Sequence, residues 1–375
     1  MDKKNKNPNV PNLRFTNNQL KDFKIVDICK LKQGNQYDLK QQFTEEKPDL
    51  KRFIRIVDYT QKTNDIRYVY SNGSENYVDC TDVVVVRYGA SAGYVGRGIN
   101  GIIANNLFTI RPINSALLNK SYLYHYLNAP VIQKQLNNTQ SSGMPALNFQ
   151  TINNLHILLP EYQEQRQIAV FLDKIDERIQ TQIKIIDTLS SQKKQIRNLI
   201  FKDIHKNANC CIQDYVIYEQ PQKYIVHSTD YLSYGKDYTP VLTANQSFIL
   251  GYTLEKDGIY EKGDCIIFDD FTNENKYVDF PFKVKSSALK ILQTKEGLML
   301  KFFYEYLQFL NFESTDHKRH YLSEVAVTDI SVPNLKEQTF VCKIFTSFDN
   351  KLKNEEALLE KYRLQKQFFL NNLFI

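Results

Sequence analysis

Residues Pro160–Phe201 read PEYQEQRQIAVFLDKIDERIQTQIKIIDTLSSQKKQIRNLIF, and the reading of this run decides how the rest of the chain is divided. Pro160 suits the first turn of a helix, where its missing N–H leaves no bond unmade. Glu161 and Glu164 stand near the start, and Lys193, Lys194 and Arg197 gather near the end. Both placements match the signs of the helix macrodipole. No Pro or Gly interrupts the span between. Alternate steps of four and three from Ile168 reach Leu172, Ile175, Ile179, Gln182, Ile186, Leu189, Lys193, Ile196 and Ile200; eight of these ten positions are apolar. That is a heptad seam, which specifies a partner helix rather than a general apolar face.

The seam occurs twice. Adding 173 to each number gives Pro333 and then Val341, Phe345, Phe348, Leu352, Glu355, Leu359, Tyr362, Lys366, Phe369 and Leu373. Identities recur outside the seam too: Glu164-Gln165 with Glu337-Gln338, Asp176 with Asp349, and Phe201 with Phe374. Both polar interruptions coincide, Gln182 with Glu355 and Lys193 with Lys366. Two unrelated long helices would not share these off-seam identities, so the chain is an internal repeat of two halves.

At 375 residues the chain exceeds one ordinary core. A hydrophobic share of 42% beside 24% charged residues is that of a globular protein. The six cysteines, Cys29, Cys80, Cys210, Cys211, Cys265 and Cys342, form no metal-ligand spacing, which argues against structural zinc and for a reducing cytoplasm. No signal peptide or membrane-length apolar run is read, so no membrane partner is expected. A net charge of +6 permits a polyanionic partner without requiring one.

Residues 1–12 read as a flexible leader. Strands are expected at Phe23–Leu31, Phe53–Asp58, Tyr77–Cys80, within Asp82–Arg87, and at Leu107–Arg111 and Leu155–Leu159, with one helix over Asn119–Leu136. After the first long helix the order returns. Thr239–Tyr252 is strand-rich, Lys262–Asp269 is a turn feeding a buried strand, and Ser287–Leu292 is a strand. Gly297–Leu310 is helical, and its Tyr304-Glu-Tyr-Leu echoes Tyr124-His-Tyr-Leu; Val325–Val332 then leads into the second long helix. The predicted class is α+β: two mixed α/β domains, residues 13–159 and 206–332, separated by a long antiparallel two-helix coiled coil, residues 160–205 and 333–375, with pseudo-two-fold symmetry. Its seam is Ile168, Leu172, Ile175, Ile179, Ile186, Leu189 and Ile196 against Val341, Phe345, Phe348, Leu352, Leu359, Tyr362 and Phe369.

Catalytic machinery is not read in the chain. No phosphate-binding GxxxxGK[ST] occurs, and the glycines at 89, 93, 96 and 98 lack dinucleotide order. Asp269, Asp270, Glu274 and Lys276 have the residue types of a Mg²⁺-dependent nuclease, although a solvated loop produces the same pattern. The six histidines make no pair for metal or general-base work. Basic and amide-rich loops are the better candidates for binding. In the first domain these are Arg87, Ser91, Tyr94, Arg97, Asn105, Asn106, Gln140, Ser141 and Ser142. In the second they are Asn245, Gln246, Lys276, Lys283, Lys285, Lys318, Arg319, His320 and Tyr321. Cations position phosphates, while amides and arginine read base edges.

Taken together, Asn9-Val-Pro-Asn-Leu-Arg-Phe15, the two Pro-led helices with their Glu-Gln pairs, and Thr239–Tyr252 with Phe268-Asp-Asp-Phe-Thr272 and Tyr277–Ser286 resemble the specificity subunit of type I restriction–modification systems. Phe23 stands where that family frequently has tryptophan. The resemblance implies a non-catalytic protein whose two target-recognition domains each read half of a split site in double-stranded DNA. It implies two methyltransferase subunits as partners, carrying S-adenosylmethionine and flipping adenines, and motor–nuclease subunits that use ATP and Mg²⁺; no cofactor is expected on this chain. A helix of forty residues is ~60 Å long, enough to hold readers one DNA turn, about 34 Å, apart. A Mg²⁺-dependent nuclease and a protein-only coiled-coil scaffold are the alternative readings. The polar seam positions further predict an antiparallel register with Gln182 level with Lys366 and Lys193 level with Glu355.

Overall fold

The computed structural model describes residues 11–16, 19–61, 63–73, 75–137, 145–235, 237–244, 247–312 and 319–374. The chain divides into two compact units, residues 1–183 with 357–375, and residues 184–356. Each is built the same way.

In the first unit the strands are β1 (Lys21–Lys24), β2 (Cys29–Gln33), β3 (Leu50–Ile54), β4 (Arg67–Tyr70), β5 (Tyr77–Val78), β6 (Val83–Val86), β7 (Val95–Gly96), β8 (Gly101–Ile103), β9 (Leu107–Pro112) and β10 (His156–Leu159). Single helical turns, α1 (Ile25–Ile28) and α2 (Ile56–Thr60), interrupt the run, and α3 (Lys120–Leu127), α4 (Pro130–Asn137) and α5 (Phe149–Asn153) follow β9. One sheet has the order β2-β9-β6-β7 and a second β4-β3-β8-β5, while β1 pairs with β10. The four valines of β6 are all buried, because the strand is covered on both faces and so reads as a continuous apolar run instead of an alternating one.

Helix α6 (Tyr162–His205) leads into the second unit, whose elements are β11 (Cys210–Cys211), α7 (Ile212–Tyr215), β12 (Val216–Glu219), β13 (Thr239–Leu242), β14 (Ile249–Thr253), β15 (Cys265–Asp269), β16 (Asn275–Val278), β17 (Lys283–Val284), β18 (Leu289–Thr294), α8 (Leu300–Leu310), a π-helical turn at Tyr321–Val325, β19 (Asp329–Ile330) and α9 (Leu335–Leu373). Its sheets run β12-β18-β15-β16 and β14-β13-β17, with β11 on β19. Strand for strand this is the first unit's plan with the edge strand β5 left out. Even the parallel pairing recurs, β3 on β8 and β13 on β17. The repeat found in the helices therefore extends through both sheets.

Three elements differ from expectation. Phe53–Asp58 is a strand only as far as Ile54, and the helical turn α2 begins at Ile56. Phe23–Leu31 is not one strand: β1 pairs with β10 and β2 with β9, and the turn α1 carries the chain from one sheet to the other. Asn119–Leu136 is two helices, broken after Leu127 where Pro130, with no N–H to donate, opens α4. The Asn119 side chain caps α3 through the Tyr122 N–H.

Within each unit, half of α6 packs against half of α9. In the first, Lys366 Nζ lies 2.5 Å from Asp176 and Phe171 meets Phe369 edge-on at 4.7 Å. In the second, Lys193 Nζ lies 2.6 Å from Asp349. Both ion pairs join a lower number to a higher one in descending order, so the helices run antiparallel and the seam leucines and isoleucines Ile168, Leu172, Ile175, Ile179 and Leu189 are buried. The expected partners are not the ones the lysines take: Lys193 sends its ammonium to Asp349 and Lys366 to Asp176. A lysine rooted on the seam lays its stem along the apolar surface and carries its charge to an acid beside the seam.

The recurring Gln165 and Gln338 join each long helix to its own domain. Gln165 Nε2 donates to the carbonyls of Leu117 (2.9 Å) and Pro160 (3.0 Å), and its Oε1 accepts the Asn119 N–H (3.0 Å). Gln338 does the same with Gly297, Pro333 and the Met299 N–H, at 2.8, 2.8 and 2.7 Å. Both amides are buried and fully used, as buried polar groups must be.

Candidate nucleic-acid interface

The hairpin between β6 and β7 and its copy between β15 and β16 occupy the same place in the two units, at the edge of the equivalent four-stranded sheets. In the first, Gly89 and Gly93 sit at φ +89° and +90°, conformations that side chains resist, and the loop closes through the Val86–Tyr94 and Gly93–Val86 backbone bonds. Ser91 and the exposed Tyr94 are presented at its tip. The two arginines of this loop face inward. Arg87 donates to Gln33 Oε1 at 2.6 Å, and its guanidinium lies 4.3 Å from the Phe149 ring centre. Arg97 donates to Ser121 Oγ (2.6 Å) and to Asp173 (2.5 Å), lies 3.7 Å from Asp176, and covers the Tyr124 ring at 3.9 Å. Arg97 thus ties the loop's exit to α6. His125 adds a ring nitrogen 2.8 Å from the same Asp173 oxygen. Burial works against the Asp173 charge, but hydrogen bonds from His125, Arg97 and Ser121 outweigh it and hold the carboxyl well below its ordinary range. Burial likewise pushes His125 down, which favours the neutral ring.

Asn105 is exposed and donates to Gln36 Oε1 at 3.0 Å, while Asn106 is half-buried. Gln140, Ser141 and Ser142 lie outside the described residues. The structure adds a surface that the sequence reading passed over. Lys47, Lys51, Arg52, Tyr68, Tyr77 and Asn100 line a polar concavity of about 660 Å³ on the sheet of β3, β4, β8 and β5. On β4 and β5 its tyrosines, Tyr68 and Tyr77, stand next to the buried Val69 and Val78, and on β3 Lys51 is the exposed residue of the strand.

In the second unit the predicted residues separate into two groups. Lys283 is fully buried, with Nζ 2.7 Å from both Glu255 Oε2 and the Asp257 carbonyl; a buried ammonium survives only when so paired. His320 is buried with Nδ1 3.0 Å from Glu324, and Tyr321 is buried with its N–H on Asp270 Oδ1. These three hold the fold. Lys285 and Arg319 are exposed, Arg319 lying 5.8 Å from the Phe271 ring, and Lys276 is half-exposed. Asn245, Gln246 and Lys318 lie outside the described residues. At the β15–β16 turn, Asn273, Asn275, Lys276, Gln308 and Asn311 line a pocket of about 290 Å³. Asn273 is held at φ +59° and buried, with neither side-chain atom hydrogen-bonded. An unmet buried amide is costly, and this one lines the pocket with both donor and acceptor available.

The nuclease alternative loses its geometry here. Asp269 Oδ1 accepts the N–H groups of Phe271 and Thr272, and Asp270 is buried against Lys290 at 2.9 Å. Their carboxylates shape a turn and anchor a core strand. Among the described residues the acid and histidine groups close enough to share a cation are His125 with Asp173 and Asp176, and His227 with Glu255 and Asp257. Neither contains Asp269, Asp270 or Glu274, and Arg97 or Lys283 already supplies their positive charge.

Comparison with known proteins accords with this architecture. Residues 17–190 match the family model of the type I restriction modification DNA specificity domain. The specificity subunit of the Escherichia coli type I restriction enzyme EcoR124I/EcoR124II is 39% identical over 170 residues, covering 42% of this chain and 41% of that protein. The MjaVIII specificity subunit of Methanocaldococcus jannaschii is 27% identical over 137 residues, covering 36% and 31%. These alignments span less than half the length of either relative. The crystal structure of a type I restriction–modification S subunit from M. genitalium superposes with a TM-score of 0.63 at 17% identity, over 98% of this chain and 99% of that one. A chain from a structure addressing complex assembly and conformational transition of the type I R-M system gives 0.54 at 11% identity, over 95% and 97%. Residues 17–190 thus carry a type I restriction modification DNA specificity domain, and the fold of type I specificity subunits extends along nearly the whole chain.

Proposed function

We propose that the protein reads an asymmetric, bipartite site in double-stranded DNA on behalf of a type I restriction–modification complex. Residues 13–159 read one half and residues 206–332 the other; residues 160–205 and 333–375 form the spacer that sets the distance between halves and seats two adenine-methyltransferase subunits. The chain catalyses nothing itself. S-adenosylmethionine belongs to the methyltransferase, and ATP and Mg²⁺ to motor–nuclease subunits. The complex works in the cytoplasm; among the described residues no helix is long and apolar enough to cross a membrane.

The observation that carries this reading is the doubled topology with unlike surfaces. Equivalent hairpins present Ser91 and Tyr94 in one unit and Asn273 and Lys276 in the other. One scaffold bearing two different polar surfaces suits a target whose halves differ. Contacts are assigned to Ser91, Tyr94, Asn105, Lys47, Lys51, Tyr68 and Tyr77 in the first reader, and to Lys276, Lys285, Arg319 and Asn273 in the second. Genome-wide mapping of adenine methylation, with and without this gene beside its methyltransferase, tests the proposal. Loss of one split motif is the expected result, and an unchanged methylome overturns it. Exchange of residues 206–332 for those of another family member is expected to alter one half of the motif only.

A further inference from the structure

The internal repeat leaves one groove filled and its counterpart open. In the first unit the segment Asn12-Leu-Arg-Phe-Thr16 lies along the ends of the two long helices. Arg14 forks onto Glu164, Nε to Oε1 at 2.9 Å and Nη2 to Oε2 at 2.7 Å. The Phe15 and Thr16 N–H groups and the Thr16 hydroxyl complete the cage around that carboxylate, at 3.0, 3.2 and 2.5 Å. Phe15 packs on Phe171 at 5.9 Å, and the Leu13 N–H donates to the Asn372 carbonyl.

The repeat places Glu337 where Glu164 stands, Leu199 where Asn372 stands and Ile344 where Phe171 stands. No second copy of Asn12–Thr16 covers them among the described residues, because the chain that leads into β11 is α6 itself. In the second unit Leu199, Ile204, Pro333, Glu337 and Phe340 line an open cavity of about 740 Å³. It adjoins a second cavity over Phe340 and Ile344. Phe340 and Leu199 are 66% and 72% exposed, large values for apolar side chains of such size. Asp203 joins Glu337 in the lining against Lys336 alone, so the groove is apolar with an acidic end.

We propose that this groove is the seat of an extended segment of a partner protein that carries an arginine followed by an aromatic residue, the arginine forked onto Glu337 and the aromatic ring on Phe340 and Ile344. The seat has been worked out once already, on this chain's own first residues, and bidentate guanidinium–carboxylate pairing beside an apolar shelf selects that chemistry over a lysine or a plain apolar peptide. The inference rests on the repeat and stands apart from how the loops read DNA.

The probe is the labelled peptide NVPNLRFTNN, residues 9–18 of this chain, titrated into the full-length protein. Saturable binding of one peptide per chain is expected. Glu337→Gln is expected to weaken it at least tenfold and Phe340→Ala similarly; both residues are exposed, so both variants fold. Glu164→Gln leaves the affinity unchanged. A peptide with Arg14 and Phe15 replaced by alanine does not bind. Absence of saturable binding, equal binding by wild type and Glu337→Gln, or loss of binding on Glu164→Gln each overturns the proposal. So does concentration-dependent self-association that Arg14→Ala abolishes, since the occupant would then be a second copy of this chain.

Discussion

At equivalent places on α3 and α8, within Tyr-X-Tyr-Leu, the first unit has His125 and the second Glu305. Both side chains are buried against the long helices, yet their surroundings are of opposite sign. Glu305 is met by Lys193 and Lys301 at 3.1 Å on Oε1 and by Arg197 at 2.7 Å on Oε2. His125 is met by Asp173, with Arg97 and Asp176 beyond. The helix-to-helix pairs, Asp176–Lys366 and Asp349–Lys193, are the same in both units. Arg197, by contrast, corresponds to Leu370 in the repeat, and Asp173 corresponds to Thr346. The repeat has been kept where helix meets helix and has diverged where domain meets helix. Each domain is thereby keyed by charge to its own stretch of helix.

Glu305→Ala should have the largest effect, because it strands the largely buried Arg197 and leaves Lys193 and Lys301 to share Asp349 alone. Unfolding in denaturant is expected to show a loss of about 3–5 kcal/mol. A domain exchange over residues 206–332 that brings no acid to position 305 should incur the same loss, recovered by restoring the glutamate. Asp173→Ala should cost less, about 2 kcal/mol, since His125 is content without charge and Asp176 remains near Arg97. If Asp173→Ala proves as damaging as Glu305→Ala, the contrast drawn between the two sites is wrong.

Gln165→Ala and Gln338→Ala make a sharper control, because their bonds are the same in both units. Each should cost about 1–3 kcal/mol, and the two values should agree. The smallest effect is at acid pH. Burial opposes the Glu164 charge, but Arg14, Thr16 and Phe15 hold its carboxyl down to about 2 from an ordinary 4.5. A carboxyl depressed on folding stabilises fully above its ordinary value and ceases to do so as the pH falls through its lowered one. The Phe15 and Thr16 amides should therefore lose hydrogen-exchange protection between pH 4.5 and about 2, with little change above 4.5.

The repeat, the two long helices and the buried strands β6 and β15 were legible because each rests on local spacing. Heptads, a buried valine run and a Pro-led start are written in adjacent residues. The binding surface was legible only in part. Arg87, Arg97, Lys283 and His320 have the types expected of a DNA contact, and sequence alone does not say which way a side chain turns. Asp173, Gln33 and Glu255, which turn Arg97, Arg87 and Lys283 inward, come from distant segments. The ion pairs between the long helices were close to hand in the sequence. Asp176, Asp349, Lys193 and Lys366 were all among the recurring identities, and the true pairs are those four residues taken crosswise.

The glutamine joints behave differently from the charged ones. Every bond made by Gln165 and Gln338 goes to main chain, at Leu117, Pro160 and Asn119 or at Gly297, Pro333 and Met299. A coupling that reads only peptide groups is indifferent to what side chains the attached module carries. An exchanged domain can therefore keep the same fastening, with the charged contacts at Glu305 and Asp173 left as the fittings to be matched.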